Sequence, residues 1–309
     1  MLMLNTTKLI AIFIICDDFI KNLGSYLDLS GQAALPQGKV CIQATPRMSV
    51  SEMMSIVIFY HLSGFKCFKY YYEQIVCGVL KSWFPRAYSY TRFVYLMKGL
   101  NPLLLVFMLC CRTGRHTGTY YIDSKCLKVC HNKRIHSHKV FKNIAQRGKT
   151  SVDWFFGFKI HLIINEKGEI INFEITQGNK TDNNSELLQR LTDKLSGELY
   201  GDKGYLTKLK TTLQQQGLNL ITKLRKNMKN NLLDQKQAYY LRKRALIESV
   251  FDLLKFHCDI EHSRHRSVFN FMTNTIAAMI AYTFMDSLPS IMPFQKNRLD
   301  NPSYQIVLI

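Results

Sequence analysis

Acid is what this chain lacks most. Its 309 residues hold 22 Asp and Glu against 41 Lys and Arg, a formal charge of +19. A surface so short of carboxylates does not suit a cationic partner. It suits a polyanion, most simply nucleic acid, because each neutralised phosphate releases counterions. A merely basic, soluble surface is the plainer alternative. Long apolar runs are also missing. After Lys8 comes "LIAIFIIC", only eight residues before Asp17 and Asp18, with no small-residue cleavage site behind it. The C-terminal "IAAMIAYTF" is equally short of the roughly 20 residues that span a bilayer. Both read as buried helix, and no membrane segment is expected. No disulfide framework is evident either. The nine cysteines are odd in number and irregularly spaced, as in a reduced, cytoplasmic chain. Internal repeats are absent as well.

What is present is enough apolar residue, 47%, to build a packed core. Residues 1–115 read as mainly helical. Ser49 and Glu52 form a capping box ahead of "MMSIVIFYHL". "FKCFKYYYEQIV" and "YSYTRFVYLMKGL" follow on either side of Pro85. Their aromatics beside lysines could stack on bases, but a stripe at helical spacing is the mark of a core face. Residues 25–47 read as a loop.

From residue 119 the texture turns to strands. "TYYID" ends in an acid and leads into a basic stretch. "WFFGFKIHLIIN" and "EIINFEIT", separated by "EKG", form a hairpin. Then come the loop "GNKTDNN", a helix "SELLQRLTDKL" capped by Asn184 or Ser185, and the strand "GELYG". A helix over "TKLKTTLQQQ" stops at Gly217, the strand "LNLIT" follows, and "YYLRKRALIESVFDLLKF" makes one long helix. A hairpin followed by crossover units predicts an α/β fold, a mixed sheet with flanking helices. The expected division is a helical N-terminal region over 1–115, an α/β domain over 116–288, and a tail over 289–309.

Three acids then stand in parallel positions. Asp123 ends the first strand and Asp202, in "GDKGY", ends the fourth. Glu248 lies in the long helix. If strands one and four are neighbours, these carboxylates converge. Like charges gathered in this way need a cation, and oxygen ligands suit Mg²⁺, with Mn²⁺ able to substitute. Two such ions would serve phosphoryl displacement. Asp182 in "GNKTDNN" is a fourth acid near a strand end and reads first as a loop residue, with a supporting role in the site as the alternative.

The order and spacing of "IDSKCLKVCHNKRI", "GKTSVDWFFGFKIHLIIN", "GDKGY", "LITKLRKNMKN", "LRKRALIES" and "IEHSRHRS" resemble the DDE transposases of bacterial insertion sequences, and the insertion sequence 982 family in particular. "LSGFKCFKYYY" and "FPRAYSYTRFVYLM" extend the resemblance toward the N-terminus. The resemblance implies a ribonuclease-H-like catalytic fold and a triad of Asp123, Asp202 and Glu248 that holds the metal ions. It implies hydrolysis of DNA at the element's end repeats, then attack of the freed 3′-OH on target DNA, in a bacterial cytoplasm at the nucleoid. A homodimer that synapses two ends and an N-terminal region that binds those ends are family expectations. The Tyr-x2-Arg-x3-Glu-x6-Lys pattern of the broader group is kept at Arg244, Glu248 and Lys255. It departs at Leu241, where the tyrosine should stand. Lys125 after Ser124 is a second departure.

Basic blocks flank these acids. The stretch between Asp123 and Asp153 contains no other acid, Lys223–Arg244 is strongly basic, and "HSRHRS" follows the long helix. Lys133, Arg134, Lys203, Arg225, Lys226, Arg244, Lys255, Arg264 and Arg266 are the expected contacts to double-stranded DNA. In "CLKVCHNKRIHSH", Cys126, Cys130, His131, His136 and His138 raise a zinc site, but the spacing matches no common finger. A metal-dependent nuclease without strand transfer and a DNA-binding copy without chemistry remain as alternatives.

Overall fold

The computed structural model describes residues 5–29, 47–150, 153–205, 210–223, 233–261 and 265–294. Its centre is a mixed sheet of β1 (Thr119–Cys130), β2 (Gln146–Lys149), β3 (Trp154–Asn165), β4 (Ile170–Gln177), β5 (Gly197–Gly201) and β6 (Leu218–Thr222). The order across the sheet is β2, β3, β1, β5, β6, and β4 also pairs with β3. β1 and β3 run antiparallel, with Asp123 opposite Leu162 and Ser124 opposite His161. β1 and β5 run parallel through Thr119–Tyr121, and β5 pairs parallel with β6. The first and fourth strands expected from the sequence are therefore neighbours.

Helices cover both faces. Over one lie α6 (Ser185–Thr192) and α7 (Lys210–Gln215). There Leu187, Leu188, Leu191 and Leu213 pack with Tyr120, Ile122, Leu199 and Leu220 of the sheet. Over the other lie α8 (Gln235–Arg242), α9 (Ala245–Asp252) and α10 (Val268–Thr283), against Tyr121, Leu127, Phe158, Leu162 and Tyr200. Alternate strand residues thus feed alternate cores.

The second core continues into α1 (Thr6–Leu29), α2 (Val50–Tyr60), α3 (Phe68–Tyr70, running on as a π-helix over Tyr71–Val79), α4 (Tyr90–Met97) and α5 (Asn101–Cys111). The capping box is present: Ser49 Oγ accepts from the Glu52 N–H at 3.1 Å, and the Ser49 N–H donates to Glu52 Oε2 at 2.6 Å. Tyr71 and Tyr72 are fully buried, so that part of the aromatic stripe is core. Tyr90–Cys111 is a helical run of 22 residues, long and apolar enough to cross a membrane and only partly buried here. It is neither of the two shorter runs weighed from the sequence.

Four expectations need correction. Residues 25–29, read as loop, are the last turns of α1. β1 does not stop at Asp123; pairing with β3 carries it to Cys130, so the start of the basic stretch is strand. β2 was not foreseen, because its sequence, QRGK, has no apolar alternation and only the β3 backbone recruits it. The long C-terminal helix is broken at Lys243–Arg244 into α8 and α9, and passes into a π-helix over Leu253–His257.

Candidate active site

β5 ends at Gly201, and beyond Tyr121 the β1 edge on that side has no strand partner among the described residues. Asp123 lies two residues past the Tyr121–Tyr200 pair, and Asp202 lies two residues past the same pair on β5. The two residues thus stand at one level on neighbouring strands, Asp202 just past the end of β5 and Asp123 within β1. A 3₁₀ turn over Lys203–Tyr205 carries the chain away, closed by the Tyr205 N–H donating to the Asp202 carbonyl at 3.0 Å. The Asp202 side chain is exposed, and Tyr205 is buried beneath it. Burial, and then the carboxylates of Asp182 and Asp123, push the Tyr205 phenol well above its ordinary range.

Asp123 is held from two sides. The Ser124 N–H donates to Oδ1 at 2.9 Å, and Arg244 Nη1 lies 3.6 Å from Oδ2. Burial nevertheless pushes its carboxyl up to about 6. The Arg244 guanidinium and the Ser124 N–H pull the other way, while Asp182 and Glu248 add repulsion. Arg244 also reaches Glu248 Oε1 with Nη2 at 2.7 Å. One guanidinium, stationed at the start of α9, thereby joins two of the three sequence-identified acids. Arg and Glu four residues apart lie on one helical face, which makes this bridge possible.

On the other face of β1 is a network that sequence reading weighed only in part. Asp182 Oδ1 accepts from Ser124 Oγ at 2.8 Å and from Lys159 Nζ at 3.2 Å, and lies 4.0 Å from His161 Nδ1. His161 is fully buried with Nε2 3.0 Å from Thr176 Oγ1. Burial holds its pKa below the ordinary value, and Asp182 only partly restores it. Lys159 and His161, two apart on β3, share a face. That spacing was readable in "KIH", but its partner 21 residues away was not.

The basic residues are less gathered. Lys133 and Arg134 are exposed on the turn after β1, and Lys203 is exposed on the turn after β5. Lys255 lies in the π-helical turn and pairs with Glu261 at 3.0 Å. Arg266 is exposed near the start of α10. Arg225, Lys226 and Arg264 lie outside the described residues. Among the described residues, no group of three His, Cys, Asp or Glu side chains is gathered closely enough to hold a metal ion. The donor chemistry still fits a hard divalent cation. Asp123, Asp202 and Glu248 are all carboxylates, and at Asp123 one guanidinium does not offset the cost of burying the charge.

Comparison with known proteins gives one family. The model described as "Transposase DDE domain" matches residues 113–268, from just before β1 to the start of α10. No curated protein and no solved structure matches the chain.

Proposed function

The chain belongs to the transposase DDE domain family, and on that premise we propose that it is a DNA transposase that cuts insertion-sequence ends and joins them to target DNA. Asp123, Asp202 and Glu248 are the proposed triad, on a ribonuclease-H-like fold of the insertion sequence 982 type. The observation that carries this is the level placement of Asp123 and Asp202 on the neighbouring parallel strands β1 and β5, with Glu248 tied to Asp123 through Arg244.

Two Mg²⁺ or Mn²⁺ ions held by these carboxylates would supply the positive charge that eases attack on a phosphodiester and departure of the leaving oxygen. The protein's own work is to keep Asp123 ionised and in place. The Ser124 N–H and Arg244 do so directly, while Asp182, whose charge opposes that of Asp123, holds the Ser124 hydroxyl. Lys133, Arg134 and Lys203 are exposed near the strand ends and suit contacts to the DNA backbone. A homodimer would bring two ends together.

The test is incubation of the full chain with DNA bearing the element's end repeats, a target plasmid and Mg²⁺. Cleavage followed by joining is expected. Nicking without joining would favour a nuclease, and neither would leave only a DNA-binding protein. Asp202→Ala should abolish both products, lowering the rate at least ~10³-fold, with duplex affinity within about twofold of the parent. Joining that survives Asp202→Ala would refute the triad.

A further inference from the structure

A cavity of about 600 Å³ opens between α2, α3, α4 and the first turns of α10. That volume is typical of a small-molecule site. Three of its walls are rings: Tyr60, Phe68 and Tyr90. Tyr60 meets Phe68 edge-on at 5.1 Å, and Phe68 lies 6.4 Å from Tyr90. Two exposed cations, Lys69 and Arg266, also line it. Lys69 Nζ sits 5.9 Å from the Tyr90 ring centre and shares its charge with Glu73 at 3.8 Å.

The α10 side of the cavity carries Asn270 and Asn274, one helical turn apart and each 8% exposed. Asn270 Oδ1 and Asn274 Nδ2 are buried without a hydrogen-bond partner among the described residues. Buried polar atoms left open in this way point to something that completes them. Both residues stand on the wall of an aromatic cavity with cations along it.

We propose that this cavity receives one unpaired nucleotide of bound DNA. Its base packs on Phe68 and Tyr90, its edge meets Asn270 and Asn274, and its phosphate lies toward Lys69 and Arg266. Every nucleobase presents donors and acceptors along its edge and a face that stacks on aromatic rings. A base paired and stacked in a duplex has its faces and its pairing edge covered, so a base enters such a pocket unpaired. His61, another wall residue, places Nδ1 2.6 Å from the Cys258 carbonyl just beyond the π-helical end of α9. The cavity is therefore built on the framework that carries Glu248. This inference rests on the DNA-processing reading above.

The experiment compares two duplexes bound by the full chain, one blunt and one with a single 3′-terminal unpaired 2-aminopurine. The unpaired nucleotide should raise affinity about tenfold, and its fluorescence should be quenched on binding. Tyr90→Ala and Asn274→Ala should each reduce that gain to within about twofold, with blunt-duplex affinity and circular dichroism unchanged. If either variant fails to fold, Arg266→Ala, at an exposed position, should reduce the gain at least threefold, and an undiminished gain in that variant overturns the proposal. Equal affinity for the two duplexes, or unquenched 2-aminopurine, overturns it while the DNA reading stands. Binding to neither duplex would overturn both.

Discussion

At Asp123 burial outweighs the nearby guanidinium, and the result is measurable. The carboxyl's proton affinity rises from an ordinary 3.8 to about 6. The native state then binds more protons than the unfolded chain between those values, so stability falls as pH climbs from about 4 to about 6 and the cost persists above. Without divalent cations, Asp123→Asn should therefore raise the unfolding free energy at pH 7.5 by about 1–3 kcal/mol. The gain should vanish near pH 4. Mg²⁺ should raise the melting temperature of the parent and not of the variant. A variant that melts no higher than the parent at pH 7.5 would contradict this account. Asp182 has the opposite character. Its side chain pairs with Lys159, which is only 14% exposed. Asp182→Ala leaves that ammonium without its carboxylate and should cost about 2–3 kcal/mol in urea unfolding. A loss below 0.5 kcal/mol would mean that water already screens the pair.

At the scale of elements, the break between α8 and α9 decides the site. "YYLRKRALIESVFDLLKF" carries a helical period throughout, and nothing in it announces an interruption. Arg244 stands at the start of the new helix, and two carboxylates, one on β1 and one on α9 itself, converge on its guanidinium. Arg244→Ala should leave Asp123 and Glu248 facing each other without a bridge and reduce cleavage about 100-fold, as small misplacements of reacting groups do. Arg244→Lys should recover only part of it, since an ammonium lacks the fork that spans two acids. Full activity in Arg244→Ala would show that the bridge is incidental. β1 and β2 illustrate the same dependence. Cys126–Cys130 and Gln146–Lys149 are strands because β3 offers them a backbone edge, a cause that lies outside their own residues.

For the whole molecule, charge sets the partner. With a formal charge of +19, duplex affinity should fall steeply with salt, about 10³-fold or more between 50 and 200 mM if six or more phosphates are neutralised. A salt-independent affinity would rule out backbone-led binding. The two cores show how the sheet is held. One lies beneath α6 and α7, and the other joins α8–α10 to the helices before residue 112. This continuity was not legible in the sequence, where helical texture simply gives way to strands near residue 119. Which helix packs on which face depends on contacts between segments more than 100 residues apart.

The sequence by itself determined the charge, five of the six strands, and the acids on the first and fourth of the strands it predicts, because periodicity, turn residues and composition act locally. It also determined Ser49 and Glu52 as a cap and Asn184 as a cap candidate, the latter seen accepting from Leu187 N–H at 3.0 Å. The tertiary structure alone decided that Arg244 bridges Asp123 and Glu248, that Asp182 supports Ser124 from 58 residues away, and that Asn270 and Asn274 meet aromatic rings in one cavity. Those relations depend on which faces pack together, and packing is a property of the folded chain.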